Sequence, residues 1–455
     1  MKILFCQHNL AIESKKKAVH RPTISLPLGI LSMAAYLKMK KWPGKIEIYD
    51  ARLSGTIHKF QNGDIVFGDL DDVIEKNIKD SNPDVVAISN MFSWQIDNAF
   101  QMAKTVKKVC PNSIVIIGGP HASSFPEETL NEDCIDYVVM GEGEERIYQI
   151  LMSLEKNEEV SIQGVLGKIE DKQLLRNNKK APIGFITTLD DLPFPAYDMV
   201  DVDRYLELQR KGFSPRPLEL GKRAFTLLTS RGCPHQCVFC SIQATMGYKW
   251  RYHSAEYVQK HIDLIVRDYG CDFIHFEDDN LTLDKTRFIR VFNSIRDKGI
   301  RFTWDTPNGI FANTLDDQMA ETMLSSGVTY LIFGVESGDQ RVLDEVVKKQ
   351  PLTVEKVINA FKIANKHKID SHAFYIMGFP EEKLHEIRRT LYFALKHLLI
   401  HGIIPHLAIA RADPGTELYS EAITKGVLVT DHVNSDKMGV HADMFARHRI
   451  KTDEF

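Results

Sequence analysis

The stretch SRGCPHQCVFC, residues 230–240, holds three of the chain's seven cysteines at C-x3-C-x2-C spacing. A structural zinc site or a four-iron cluster held by protein alone takes four ligands, so this loop is one ligand short. Its position in the chain says what kind of scaffold presents it. The loop follows an apolar strand pattern at residues 225–229, and five more such patterns lie at 273–277, 302–305, 330–333, 373–377 and 405–410. Helical patterns occupy 255–268, 285–298, 316–326, 340–347, 354–366 and 382–399. Six strand–helix units in series predict an open, partial (β/α)6 barrel with its site at the carboxyl ends of the strands. The three cysteines sit on the first of those ends.

The residues upstream repeat the alternation on a different plan. Strand patterns at 3–6, 46–49, 85–89, 114–117 and 137–140 alternate with helical patterns at 28–39, 70–79, 96–109 and 127–131. This predicts an α/β, doubly wound, Rossmann-like parallel sheet over residues 1–154. Ligands bind such sheets at the carboxyl ends of the strands, here the turns SNMFSW, GGPHAS and GEGE. Periodicity fails across 155–222, where prolines at 193, 195, 215 and 217 favour an extended linker. The barrel is expected over 223–430, followed by a short polar tail, 431–455.

Composition narrows the function classes. Across 455 residues the formal net charge is −4, with 44% hydrophobic and 26% charged residues. That balance gives no basic face for nucleic acid, and the short lysine runs Lys15–Lys17 and Lys179–Lys180 read as solvated loops. No run of eighteen apolar residues predicts a membrane span. The opening MKILFCQHNL lacks the apolar core of a signal peptide. Clustered cysteines in odd number point to a reducing compartment, the cytoplasm. Cys6, Cys110, Cys134 and Cys271 lie in strand and helix patterns and read as small buried hydrophobes.

Three thiolates on a four-iron cluster leave one iron with an open position. The competing reading is a zinc site completed by His235 or a distant residue. The C-x3-C-x2-C motif, with Phe239 just before its last cysteine, resembles that of the radical S-adenosylmethionine (SAM) superfamily. The resemblance implies a 4Fe–4S cluster on Cys233, Cys237 and Cys240, with the open iron taking the amino and carboxylate groups of SAM. An electron delivered by an external donor such as flavodoxin or ferredoxin would then release a 5′-deoxyadenosyl radical. FEDDN after the second barrel strand resembles the segment around SAM's methionine group, implying Glu277 and Asp278, with Asp279 either a contact or a helix cap. FGVESG implies Glu336 near the ribose, with Ser337 beside it. YIMGFPEE implies Met377 and Gly378 along adenine, which Phe239 also approaches. Arg251 is read either as a partner of SAM's carboxylate or as a structural ion pair.

The N-terminal half is similar to the cobalamin-binding domains that precede such barrels, on PLGILSMAAYL, DVVAISNM, VIIGGPHAS and YVVMGEGEERI, joined by LDDLPFPAYD. The implied cobalamin contacts are Ser89, Met91, Gly118, Gly119, His121, Gly141, Glu142 and Gly143. No D-x-H-x-x-G occurs, so His8 and His121 are expected to be hydrogen-bonding rather than cobalt-ligating. The alternative is a domain kept after cobalamin was lost. Together the two resemblances imply a cobalamin-dependent radical SAM enzyme. Its expected activity is methyl transfer to an unactivated carbon, or phosphorus, of a biosynthetic intermediate through the 5′-deoxyadenosyl radical and methylcobalamin. Cyclisation, ring rearrangement or dehydration is the alternative chemistry; a non-catalytic cobalamin or redox sensor would want a DNA-binding element, and none is legible. The substrate is expected to be a small molecule or natural product.

Overall fold

In the N-terminal sheet, each strand divides its side chains between two helical layers. The computed structural model describes residues 1–14, 20–168, 184–216 and 221–425. Its strands, in chain order, begin with β1 (Lys2–Gln7), β2 (Leu10–Ile12), β3 (Lys45–Asp50), β4 (Ile57–Lys59), β5 (Ile65–Phe67), β6 (Val85–Ser89), β7 (Ile114–Gly118), β8 (Tyr137–Val139) and β9 (Val165–Gly167). Ile3, Phe5, Val85 and Ile116 meet Ile30, Ala34, Ile147 and Ile150 on one face. Leu4, Val86, Val115 and Ile117 meet Ile74, Ile78, Ala99 and Met102 on the other. This is the period-two alternation of strands against the 3.6-residue stripe of helices.

The sheet order is β3-β1-β6-β7-β8-β9. All pairs are parallel except β8 with β9. Because β3 and β6 lie on opposite sides of β1, the chain changes direction there, and a crevice opens between the β1 and β6 ends. The register Gln7↔Ser89, Ser89↔Gly118 and Gly118↔Val139 brings four strand ends level. The turns after them therefore form one rim. A separate antiparallel sheet, β2-β5-β4, flanks this domain.

The helix after GEGE, Glu144–Glu155, had no expectation from periodicity; two glutamates in its first turn suit the helix dipole. Residues 155–222, expected as an extended linker, are in fact partly packed. Val160, Val165 and Leu166 belong to the first domain, where β9 closes the sheet. Helix Val202–Leu208, capped by Asp201 accepting from the Arg204 amide at 3.0 Å, buries Val202, Tyr205 and Leu206 in the barrel-side core. The Tyr205 hydroxyl donates to Asp50 on β3 at 2.7 Å. The segment is thus a wedge between two domains, built from elements too short to show a period.

The second domain adds β10 (Ala224–Leu227), β11 (Ser230–Arg231), β12 (Arg251–Tyr252), β13 (Phe273–Phe276), β14 (Thr303–Asp305), β15 (Val328–Glu336), β16 (Ser371–Met377) and β17 (Ile404–Ile409). Six of these form a parallel sheet ordered β10-β13-β14-β15-β16-β17, and its two end strands do not pair with each other. Ile274, Phe276, Trp304, Leu331, Phe333 and Tyr375 turn outward onto Phe288, Phe292 and Phe361 of the helices. The expected helix at 340–347 is only a short π-turn over Val342–Val346, while the sixth strand is followed by a helix, Glu417–Thr424, that was not anticipated. Cys6, Cys110, Cys134 and Cys271 are buried. No helix among the described residues is long and apolar enough to cross a membrane. The tail at 431–455 and the lysine runs at 15–17 and 179–180 lie outside the described residues.

Candidate active site

The cysteine loop leaves the barrel through a clip. Strands β11 and β12 pair antiparallel, Ser230↔Tyr252 and Arg231↔Arg251, and hold both ends of the loop together. Gly232 enters it at φ +83°, where a Cβ would stand 2.6 Å from the Lys249 carbonyl oxygen, so only glycine fits the turn. Cys233, Cys237 and Cys240 are each half-buried. The Cys240 amide donates to the Cys237 carbonyl at 3.0 Å. Val238 points the other way, into a cluster with Val342, Val346 and Val347, and its amide donates to the Val347 carbonyl at 3.1 Å.

That contact brings in a residue the sequence did not single out. Lys349, two residues on, is buried and ion-paired with Glu336. Glu336 closes β15 at φ +67°, a left-handed conformation that costs a non-glycine residue about 1 kcal/mol or more. The Lys349 ammonium also faces the thiols of Cys237 and Cys240. Burial pushes those thiols up, Cys237 to about 12 and Cys240 to about 11, with Lys349 opposing the rise at both.

The donor set fits an iron–sulfur cluster: three soft thiols on one loop, with a buried cation beside two of them. Among the described residues no three His, Cys, Asp or Glu side chains converge on a point that a single ion would fill. His235, the expected fourth ligand of a zinc site, instead stacks on Phe311 at 4.3 Å.

The acidic residues after β13 divide their work. Asp278 is fully buried and accepts from the Thr229 amide at 3.0 Å, the Thr229 hydroxyl at 2.7 Å and the Ser230 hydroxyl at 2.5 Å. Expected as a SAM contact, it instead ties down the start of the cysteine loop. Asp279 accepts from the Gly232 amide at 2.8 Å, and burial followed by the Asp278 charge pushes it up to about 7. It does not cap the next helix; Asp284 does, accepting from the Arg287 amide at 2.9 Å. Glu277 is half-buried and paired with Arg216 at 2.9 Å. Phe239 lies 6.2 Å from Phe379, ring to ring. Met377 ends β16, and the amide of Gly378 donates to Glu382 at 2.5 Å. Ser337 is buried against Thr390 at 2.9 Å.

On the N-terminal rim, Gly118 ends β7 and Gly119 follows at φ +118°, where a Cβ would sit 2.0 Å from the Asn90 carbonyl oxygen. Asn90, between the expected contacts Ser89 and Met91, is fully buried, and both polar atoms of its side chain lack a partner. Such an amide costs roughly 1–3 kcal/mol unless a ligand satisfies it. Gly141 is at φ +67° with its amide on the Ser123 hydroxyl at 2.9 Å. A Cβ on Gly143 would collide with the Met33 sulfur at 2.6 Å. Met91 and Phe92 stand exposed beside Asn90. A glycine rim with an unmet amide and an apolar lip fits a large flat ligand such as a corrin. His121 is buried with its ring 5.2 Å from that of Phe125. His8 is buried too, and desolvation holds it neutral, lowered to about 3, with Arg52 adding to the effect. Substituting Gly119→Ala is expected to abolish retention of hydroxocobalamin after desalting while leaving the iron content of the barrel unchanged. An unchanged corrin content would refute the assignment of this rim.

Glu142 departs from its expected role. Rather than facing a ligand, it accepts from Arg251 at 2.8 and 2.9 Å, from Arg231 at 2.9 Å and from the Ile186 amide at 2.7 Å. Glu144 takes the other arm of Arg231 at 2.7 Å and the Ser32 hydroxyl at 2.8 Å. Burial alone would raise Glu144; the Arg231 charge and hydrogen bond override it and hold the carboxyl below its usual range. Arg251 is therefore a structural ion pair. The GEGE turn of the first domain is bolted to the residue two positions before Cys233.

Comparison with known proteins places these features. The radical SAM superfamily profile matches residues 227–394, and the B12 binding domain profile matches residues 18–151. A protein of Pyrococcus horikoshii named uncharacterized methyltransferase PH0819 is 32% identical over 434 residues, 94% of this chain and 85% of the relative. The cytidylyl-2-hydroxyethylphosphonate methyltransferase of Streptomyces wedmorensis is 32% identical over 381 residues, covering 79% of this chain and 70% of the relative. The fold superposes on the radical SAM methyltransferase TsrM of Kitasatospora setae, solved with cobalamin and a [4Fe-4S] cluster, with TM-score 0.69. That match is 14% identical and covers 94% of this chain and 78% of the other.

Proposed function

Because this chain belongs to the radical SAM enzymes that carry an N-terminal B12-binding domain, we propose that it is a methyltransferase acting on an unactivated carbon of a small metabolite. The observation that carries the reading is the bolted junction: Glu142 and Glu144, on the rim of the B12-binding domain, grip Arg231 at the root of the cluster loop. Chemistry that passes between two cofactors needs their loops held at a fixed spacing, and this contact supplies it.

When bound, the cluster with SAM supplies a hydrogen-abstracting radical and the corrin carries the methyl group; cofactors bring the hard chemistry and the protein positions them. The chain's own residues do the rest. Cys233, Cys237 and Cys240 hold the cluster, and Lys349 with Glu336 sets the charge beside it. Phe239, Met377, Gly378 and Glu277 are the residues we assign to SAM, on the loops and strand ends that follow the first, second and fifth barrel strands. Asp278 and Asp279 pin the loop from behind. Asn90, Gly118 and Gly119 seat the corrin. The reducing electron comes from a small redox protein such as flavodoxin or ferredoxin. The named substrate of the Streptomyces relative is a polar metabolite, and we place this chain's substrate in the same size class.

The test is anaerobic reconstitution with iron, sulfide and hydroxocobalamin, followed by assay with SAM and a reductant. Bound corrin and formation of both S-adenosylhomocysteine and 5′-deoxyadenosine are expected. Formation of 5′-deoxyadenosine alone, without bound corrin, would move the protein to cyclisation, rearrangement or dehydration chemistry.

A further inference from the structure

A buried ion pair stands beside the cysteine loop, at the carboxyl end of β15. Lys349 Nζ donates to Glu336 Oε1, and the two side chains are 10% and 6% exposed. Gly334, two residues before Glu336, makes the space for the ammonium. A Cβ there would stand 2.8 Å from Lys349 Nζ and 3.2 Å from Glu336 Oε1. The backbone of Lys349 is fixed on both sides. Its amide donates to the Leu343 carbonyl at 2.9 Å, and its carbonyl accepts from the Leu352 amide at 3.0 Å.

Stability does not account for this pair. Taking two charges out of water is costly, and apolar residues of similar volume often hold a fold as well or better. Apolar neighbours are at hand, since Val346 and Val347 pack on Val238 of the cysteine loop. The left-handed backbone of Glu336 adds a second cost at the same point. The pair also has a direction. The Lys349 charge favours the thiolate form of Cys233, Cys237 and Cys240 alike. At Cys237 the Glu336 charge opposes it, and the lysine's effect is the larger. The cationic side of the pair faces the thiols.

We propose that Lys349 and Glu336 act as an opposed pair that sets the reduction potential of the cluster on Cys233, Cys237 and Cys240. The lysine raises the potential and the glutamate limits the rise. One electron passes from an external low-potential donor, which is oxidised, to the cluster, which gains one negative charge. Net charge, burial and nearby dipoles are what set such potentials. The new charge arrives where three thiolates already stand, and a buried cation offsets the repulsion. Without the lysine the cluster is harder to load. With the lysine unopposed it gives its electron up to SAM less readily. The inference rests on the reading of this loop as the cluster's seat, and both residues are positioning residues that act through the thiolates.

The test is a potentiometric titration of the anaerobically reconstituted full chain without SAM, with the reduced cluster read by electron paramagnetic resonance. Lys349→Met is expected to lower the equilibrium constant for reduction about tenfold, about 59 mV for a one-electron couple. Glu336→Gln is expected to raise it by about the same factor. The double variant should return toward the wild type, and Lys349→Arg, which keeps the charge, should stay close to it. Packing damage does not produce shifts of opposite sign that cancel. Unchanged potentials in both single variants, shifts of one sign, or a double variant further displaced than either overturns the proposal. If Lys349→Met loses its iron, Glu336→Gln decides alone, and a potential unchanged or lowered overturns it. Loss of SAM binding in Lys349→Met at an unchanged potential makes the lysine a SAM contact and overturns it too. If the wild-type chain holds no cluster, the reading beneath falls; a cluster whose potential ignores both charges sinks this inference alone.

Discussion

Alanine in place of any one of Cys233, Cys237 or Cys240 is expected to bring SAM cleavage below detection. The loop offers three thiols, and His235, the nearest spare donor, is stacked on Phe311. Two thiolates do not hold a cluster whose fourth iron must stay open for SAM. Iron and sulfide content should fall together with the visible absorbance of the cluster. Hydroxocobalamin should still bind, because its rim belongs to a separate core of β1, β6, β7 and β8. That retained corrin separates a lost cluster from a misfolded chain. Persistent 5′-deoxyadenosine formation in any of the three variants would sink the site assignment.

Replacing Glu142 with alanine is expected to cost about 3–5 kcal/mol of stability, the usual range for breaking a buried ion pair from one side. The carboxylate is 1% exposed and shared by Arg231 and Arg251, whose side chains are 14% and 2% exposed. Removing it leaves one guanidinium buried with only carbonyl partners, and the other with Glu144 alone. Chemical denaturation reads the loss as a lower midpoint, and corrin retention should drop with it. Glu256→Ala is the control: that carboxylate pairs with Arg290 on the surface, both more than 60% exposed, and such pairs contribute little. Equal midpoints for Glu142→Ala and Glu256→Ala would show that the junction carries no load.

Long amphipathic elements were legible without a structure. Helices over Leu28–Met39, Ile96–Val109 and Val354–Lys366 match their expected limits residue for residue; the last two bury a continuous stripe, and the first is an apolar run buried on nearly every side. The short strands β2, β4, β5 and β9 were not: they lie outside the strand–helix alternation that marked β8 and β14, which are equally short. The cluster loop could be read because its ligands lie within eight residues. The domain junction could not: Arg231 and Arg251 stand 89 and 109 positions from Glu142. A carboxylate in a GEGE turn looks the same whether it faces a ligand or a guanidinium. Asp278 was misread for a related reason. Its partners Thr229 and Ser230 belong to the neighbouring strand end, nearly fifty positions upstream. Lys349 sits in VVKKQ, which has the look of a solvated charge run, and only the docking of Val238 on Val347 carries it inside.

The unpaired ends of the six-strand sheet give the barrel an uneven stiffness. A closed barrel has its radius fixed by strand number and stagger; this one does not close, so its circumference is free to change. The end at β10 leads straight into Arg231 and is clamped to the other domain. Among the described residues the end at β17 is held by β16 and one helical layer, with Leu407 and Ile409 half in solvent. Among the described residues, widening of the barrel is therefore expected on the β17 side, with the spacing of the two cofactor loops kept by the clamp at β10. The molecule is thus built with one fixed end and one compliant end, and the fixed end is the one that carries the cysteine loop.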